Sequence, residues 1–122
     1  MEELQMIYLI LKKKSLEPFF TNELSEEYFV QYRNVLDFIL KFNTENMDIP
    51  SFETVASNFS NIEWPTEEEN SEYLSRLIKE NYVFNGAINA INKNEKVLKA
   101  NSFEGVDKIM TELQKLREIN ES

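Results

Sequence analysis

Apolar residues recur along this chain at helical spacing. Leu4, Ile7, Tyr8 and Leu11 stand at i, i+3, i+4 and i+7 and predict a first helix from Glu2 to about Lys13. Glu2 and Glu3 then sit at the positive end of its dipole and Lys12, Lys13 and Lys14 at the negative end. The lysine run therefore reads as helix compensation rather than as a basic patch. Leu16–Leu24, with Pro18 and the pair Phe19-Phe20, predicts a brief helical turn packing both rings inward. Ser25 is placed as an N-cap, with Glu26 and Glu27 in the first turn of a helix running to about Phe42. There Tyr32, Val35, Leu36 and Ile39 repeat the spacing, and Phe29, Phe38, Leu40 and Phe42 widen the apolar surface, as expected of the central helix of a small bundle. Beyond the polar stretch Asn43–Pro50, Ser51 caps a short helix through Phe59 with Phe52, Val55, Ala56 and Phe59 inward. Trp64, in the next loop, is read as closing the edge of that core rather than as a partner anchor.

From Thr66 the pattern becomes more sustained. Thr66-Glu67-Glu68-Glu69 matches a capping box, and helical spacing then persists to about Lys99. Leu77, Phe84, Ile91 and Leu98 stand in one heptad row. Leu74 and Ile88 begin the row that would complete a coiled-coil seam, but Asn81 and Glu95 interrupt it. Asn85-Gly86 is a hairpin-turn dipeptide, yet its flanks do not alternate and the heptad phase is kept across it. The helix is therefore continued there, at about 1 kcal/mol relative to Ala, and Gly86 is left as a point of close helix approach. Ser102 caps a last helix from Phe103 to about Ile119, with Val106, Ile109, Met110, Leu113 and Leu116 on one side. Glu95–Lys99 and Glu104–Lys108 are favourable i, i+4 pairs. The expected fold is all-α: a small helical-bundle head over 1–65, a long helix folding back as a two-helix hairpin over 66–119, and a tail or linker start over 120–122. Leu77, Phe84, Gly86, Ile91, Leu98, Ile109, Leu113 and Leu116 form the expected protein interface.

Composition narrows the function more than the fold. With nine Phe, five Tyr and 42% hydrophobic residues, the 122-residue chain can bury a core. It has only two Gly and three Pro, which suits helices joined by polar loops. The net charge of −9 argues against direct nucleic-acid binding, which draws its affinity from neutralised phosphates. One stretch differs: Arg76, Lys79, Lys93, Lys96 and Lys99 face only Glu80 and Glu95, and this reads as a solvated helix face with intrahelical pairs. No His or Cys occurs, which removes the usual nucleophiles, general bases, thiolate metal sites and Glu-x-x-His metal motifs. No phosphate-cradling loop can be written with Gly86 and Gly105. The expectation is therefore no enzyme activity, no cofactor, no metal and no membrane span, in a cytoplasmic setting.

Read in order, these residues are similar to the N-terminal domain of DnaB-type replicative helicases. The resemblance is carried by the acidic first helix Glu3-Leu4-Gln5-Met6-Ile7-Tyr8-Leu9-Ile10-Leu11 and by the step Glu26-Glu27-Tyr28-Phe29. The segment Asn46-Met47-Asp48-Ile49-Pro50-Ser51-Phe52-Glu53-Thr54-Val55-Ala56 follows it, then Glu72-Tyr73-Leu74-Ser75-Arg76-Leu77-Ile78 opening the terminal hairpin. It covers nearly the whole chain in apolar and polar pattern rather than in catalytic signatures. The chain departs from the family in two places. Ser60–Asn70 is too short for the usual Gly-rich step and extra helix, and the first helix lacks the usual Gly or Leu-Gly step. The Asn- and Lys-rich, Gly-poor composition suits a divergent version, phage-encoded or Firmicute-like, from a low-GC genome. The resemblance implies a motor-free domain whose hairpin pairs with a neighbour's in a three-fold collar. It also implies that the domain receives a DnaG-type primase, with a helicase loader as a further partner, while the ATPase lies in a separate downstream domain. The other readings are a stand-alone helical adaptor, such as a helicase loader or inhibitor, and an unrelated helical regulator.

Overall fold

The computed structural model describes residues 1–121 and is all-α. Seven helices follow in order: α1 (Glu2–Lys13), α2 (Glu17–Thr21), α3 (Arg33–Asn46), α4 (Phe52–Asn58), α5 (Ser71–Lys93), α6 (Glu95–Ala100) and α7 (Ser102–Glu121), with one 3-10 turn, Glu26–Tyr28, before α3. The chain divides into two compact units, residues up to Ile78 and residues from Lys79 on. The division falls inside α5 rather than at Pro65, because Leu74 and Ile78 are buried in the core of the first unit. Asn120 and Glu121, expected in a tail, continue α7, while Ser122 lies outside the described residues.

The first unit is built around α1. Leu4, Met6, Ile7, Leu9, Ile10 and Leu11 are all buried, so α1 is apolar nearly all round. The central place expected for the helix through Ile39 thus belongs to α1, and α3 buries one stripe, Val35, Leu36 and Ile39. A chain of aromatic edges closes the side of this core. Tyr8 meets Phe52 at 6.0 Å and 88°, and Phe52 meets Trp64 at 5.2 Å and 70°. Trp64 is partly buried against the core, as the apolar pattern led us to expect.

Three local expectations are corrected by tertiary packing. Of the pair Phe19-Phe20, only Phe19 enters the core, and Phe20 is 62% exposed, with its ring edge-on to Phe19. Neighbours on a helix point about 100° apart, so a five-residue helix can aim only one of them inward. Ser25 makes no side-chain cap, and the helix expected from it stops as the 3-10 turn. The α3 helix instead starts where the Glu3 carboxylate of α1 accepts the N–H groups of Gln31 (3.1 Å) and Tyr32 (3.0 Å). The amides of the N-cap residue and of the one before it are thus satisfied by a residue far away in sequence. Finally, Thr66 caps nothing. Asn70 Oδ1 accepts the Tyr73 N–H at 2.9 Å and starts α5 instead. Asn caps a helix at least as well as Thr. The Ser51 cap does form, its Oγ accepting the Thr54 N–H at 3.2 Å.

Glu3→Ala is expected to lower the unfolding free energy by about 1 kcal/mol in urea titration, the usual net contribution of such hydrogen bonds. Hydrogen exchange should speed up at Gln31 and Tyr32 in particular.

Candidate functional site

The second unit is an antiparallel hairpin. Partner numbers fall as α5 is ascended: Gly86 lies against Leu116, Lys93 and Asn94 meet Glu112, and Leu98 meets Gly105. The helix runs unbroken through Asn85-Gly86, and the interruption comes at Asn94. Asn94 is buried, and its amide donates to Ala90 O at 2.8 Å and to Glu112 Oε2 at 2.8 Å. Its own carbonyl accepts the Leu98 N–H at 2.9 Å and so opens α6. One side chain thereby ends α5 and ties the break to α7. Asn101, rather than Ser102, caps α7, its Oδ1 accepting the Glu104 N–H at 3.2 Å. The pairs Lys99–Glu95 (3.0 Å) and Lys108–Glu104 (3.6 Å) lie on exposed faces as expected.

Both glycines serve packing rather than turning, and neither has positive φ. A Cβ on Gly105 would stand 2.5 Å from Leu98 Cα, against backbone that cannot yield. A Cβ on Gly86 would stand 2.9 Å from a terminal methyl of Leu116, which can turn aside.

The seam fixes which way the remaining side chains face. On α5 it is made by Val83, Gly86, Ala87 and Ala90, none of them exposed, and on α7 by Gly105, Ile109, Glu112 and Leu116. At about 100° per residue, Phe84, Ile88 and Ile91 lie about 80–140° around α5 from this seam. Val106, Met110 and Leu113 lie about as far around α7 in the same sense. Equal rotations on two antiparallel helices point to the same side. The hairpin therefore carries one apolar face, with Phe84 66%, Ile88 47%, Ile91 47%, Val106 45%, Met110 61% and Leu113 36% exposed. Phe103, 88% exposed, extends it at the tip. The opposite side is polar, with Tyr82, Asn89, Lys93, Lys108, Thr111 and Lys115 lining shallow clefts.

The eight interface residues expected from sequence are not one surface. Phe84, Ile91 and Leu113 belong to the apolar face. Gly86, Leu98, Ile109 and Leu116 turn into the hairpin's own seam or are half-buried beside it. Leu77 is half-buried in the first unit. The heptad row misleads because α5 stops at Asn94, so Leu98 starts from a new helix with its own phase. Ile88, Phe103, Val106 and Met110 were absent from the expected interface. For three of them the signal was the same i, i+4, i+7 stripe written on both helices: Phe84, Ile88, Ile91 and Val106, Met110, Leu113.

Electrostatics hold the break shut. Lys93 donates to Glu112 and holds its carboxyl below the usual carboxylate range, with Asn94 adding to the effect against partial desolvation. Among the described residues no group of three or more acidic side chains is placed to hold a metal ion, and no helix is long and apolar enough to cross a membrane. No family model, curated protein or solved structure matches the chain.

Two outcomes follow from this geometry. Gly105→Ala should destabilise the hairpin by about 1–3 kcal/mol through overpacking. Gly86→Ala should be neutral or stabilising by up to about 1 kcal/mol, as helix propensity offsets a small shift of Leu116. Thermal melts of the two variants would separate them. Glu112 titrates lower in the folded chain than in the unfolded one. Its contribution is therefore complete at neutral pH and is lost as pH falls through that depressed value, below the ordinary carboxylate range. The acid-induced loss in a pH series followed by circular dichroism should be smaller in Glu112→Gln.

Proposed function

We propose that the chain is a non-catalytic protein-interaction domain of the kind that heads DnaB-type replicative helicases. It associates with itself through the α5–α7 face and offers the assembled collar to a DnaG-type primase, with a helicase loader as a further partner. The observation that carries the reading is the single apolar face of the hairpin, in a chain whose first unit buries a core of its own. An exposed stripe of this kind on both helices of a pair marks an interaction surface. The order of sequence patterns from Glu3 to Ile78 supports assigning that surface to a helicase collar.

Sedimentation of the chain should show association that grows with concentration. Ile91→Asp lies at the middle of the face, where an unpaired buried carboxylate costs about 2 kcal/mol or more, so association should weaken by roughly 30-fold or more. The helix content should not change, because Ile91 is partly exposed within the single chain. The chain should also retain the primase encoded in the same genome in a pull-down. A chain that stays monomeric at high concentration overturns the collar reading, and self-association without primase capture reduces it to a self-associating adaptor.

A further inference from the structure

A cavity of about 350 Å³ lies between the start of α3 and the end of α4, wholly within the first unit. Four carboxamides line it, from Gln31, Asn34, Asn58 and Asn61, and no charged side chain does. In a chain with 29% charged residues, that lack of charge is a property of the cleft. Tyr32 and Phe59 add two rings, and the buried Val35 adds apolar lining. Both walls are held from outside the cavity. The N–H groups of Gln31 and Tyr32 donate to the Glu3 carboxylate of α1. Phe59 stands edge-on to Phe38 of α3 at 5.6 Å and 86°. Asn58 Nδ2 donates to Thr54 O at 2.8 Å, which leaves its Oδ1 to accept. The carboxamides of Asn34 and Asn61 make no hydrogen bond among the described residues.

This lining selects by chemistry. An ion finds no countercharge in it. A negative charge, the Glu3 carboxylate, is tied to the backbone of two lining residues and disfavours a phosphate or carboxylate. A wholly apolar ligand would strip water from the carboxamides and leave them unpaired, which is costly. The fitting ligand is uncharged and carries hydrogen-bond donors and acceptors side by side. A carboxamide holds an NH₂ group and a carbonyl oxygen in one plane and pairs with an edge that alternates the two. An extended peptide has such groups but pairs them with a strand edge, and the described residues include no strand. A nucleobase has them on a flat ring, the shape that stacks on an aromatic side chain such as Tyr32 or Phe59. Asn and Gln pair in this way with the amino and ring-nitrogen edge of adenine. The cavity volume lies at the lower end of the range of small-molecule sites.

We propose that the cleft between α3 and α4 binds an uncharged adenine nucleoside, with the carboxamides of Asn34 and Asn61 on the edge of the base and Tyr32 or Phe59 against its face. This site does not rest on self-association through the hairpin. Adenosine is titrated into the isotope-labelled full chain and followed by NMR. The side-chain amide signals of Asn34 and Asn61 and the backbone signals of residues 58–62 should shift and saturate, and those of α6 and α7 should not. Asn34→Ala and Asn61→Ala, both at exposed positions, should each weaken binding about fivefold or more, the lower bound for one bidentate pair, with unchanged helix content. Adenosine monophosphate should bind no better than adenosine, because its phosphate finds no cation in the cleft. Methyl glucoside, which offers hydroxyl groups without a flat base, should leave the cleft signals in place. Tighter binding of the monophosphate, equal shifts from methyl glucoside, or unaltered adenosine binding in both Asn variants overturns the assignment. So does adenosine that leaves the cleft signals unmoved.

Discussion

The bridge between Asn94 and Glu112 and the two glycine contacts determine how α5 and α7 are rotated about their own axes. A helix pair can close on many combinations of faces, and each choice exposes a different set of side chains. Here a buried amide needs two acceptors and finds one on α7, while Gly105 lets the backbone at Leu98 come closer than any side chain would allow. With those contacts satisfied, Ala90 and Leu116 turn inward. The remaining apolar positions of the two helices then have one direction left, the same one. The charge on Glu112 helps through its pairing with Lys93. The bridge thus combines a hydrogen bond that needs the folded geometry with an ion pair that strengthens it.

The head obeys a different constraint. A short bundle with few glycines has to end its helices without the residue that most easily adopts left-handed backbone. It does so at Lys14, Glu23 and Met47, three non-glycine residues with positive φ. The glycines are kept instead for the hairpin, where the missing Cβ lets backbone and side chain approach. The head core is closed by burial of α1 on nearly all sides, and this is also why Glu3 can reach the start of α3. A carboxylate on the central helix is within range of the two amides, Gln31 and Tyr32, that lead into α3.

The all-α class, the first helix, the Ser51 cap, continuity through Gly86 and the last helix were all legible in residue spacing. Each is set by contacts within a few residues, and helical periodicity encodes those directly. The start of α3, the start of α5 and the break at Asn94 were not. For α3 and the break the deciding partners, Glu3 and Glu112, lie far along the chain, while α5 starts at Asn70, four residues beyond the capping box read at Thr66. The apolar face falls between the two cases. Its stripes are written in the sequence as i, i+4, i+7 on each helix. Whether they share a side depends on how α5 and α7 are rotated against one another, and only the packed hairpin decides that.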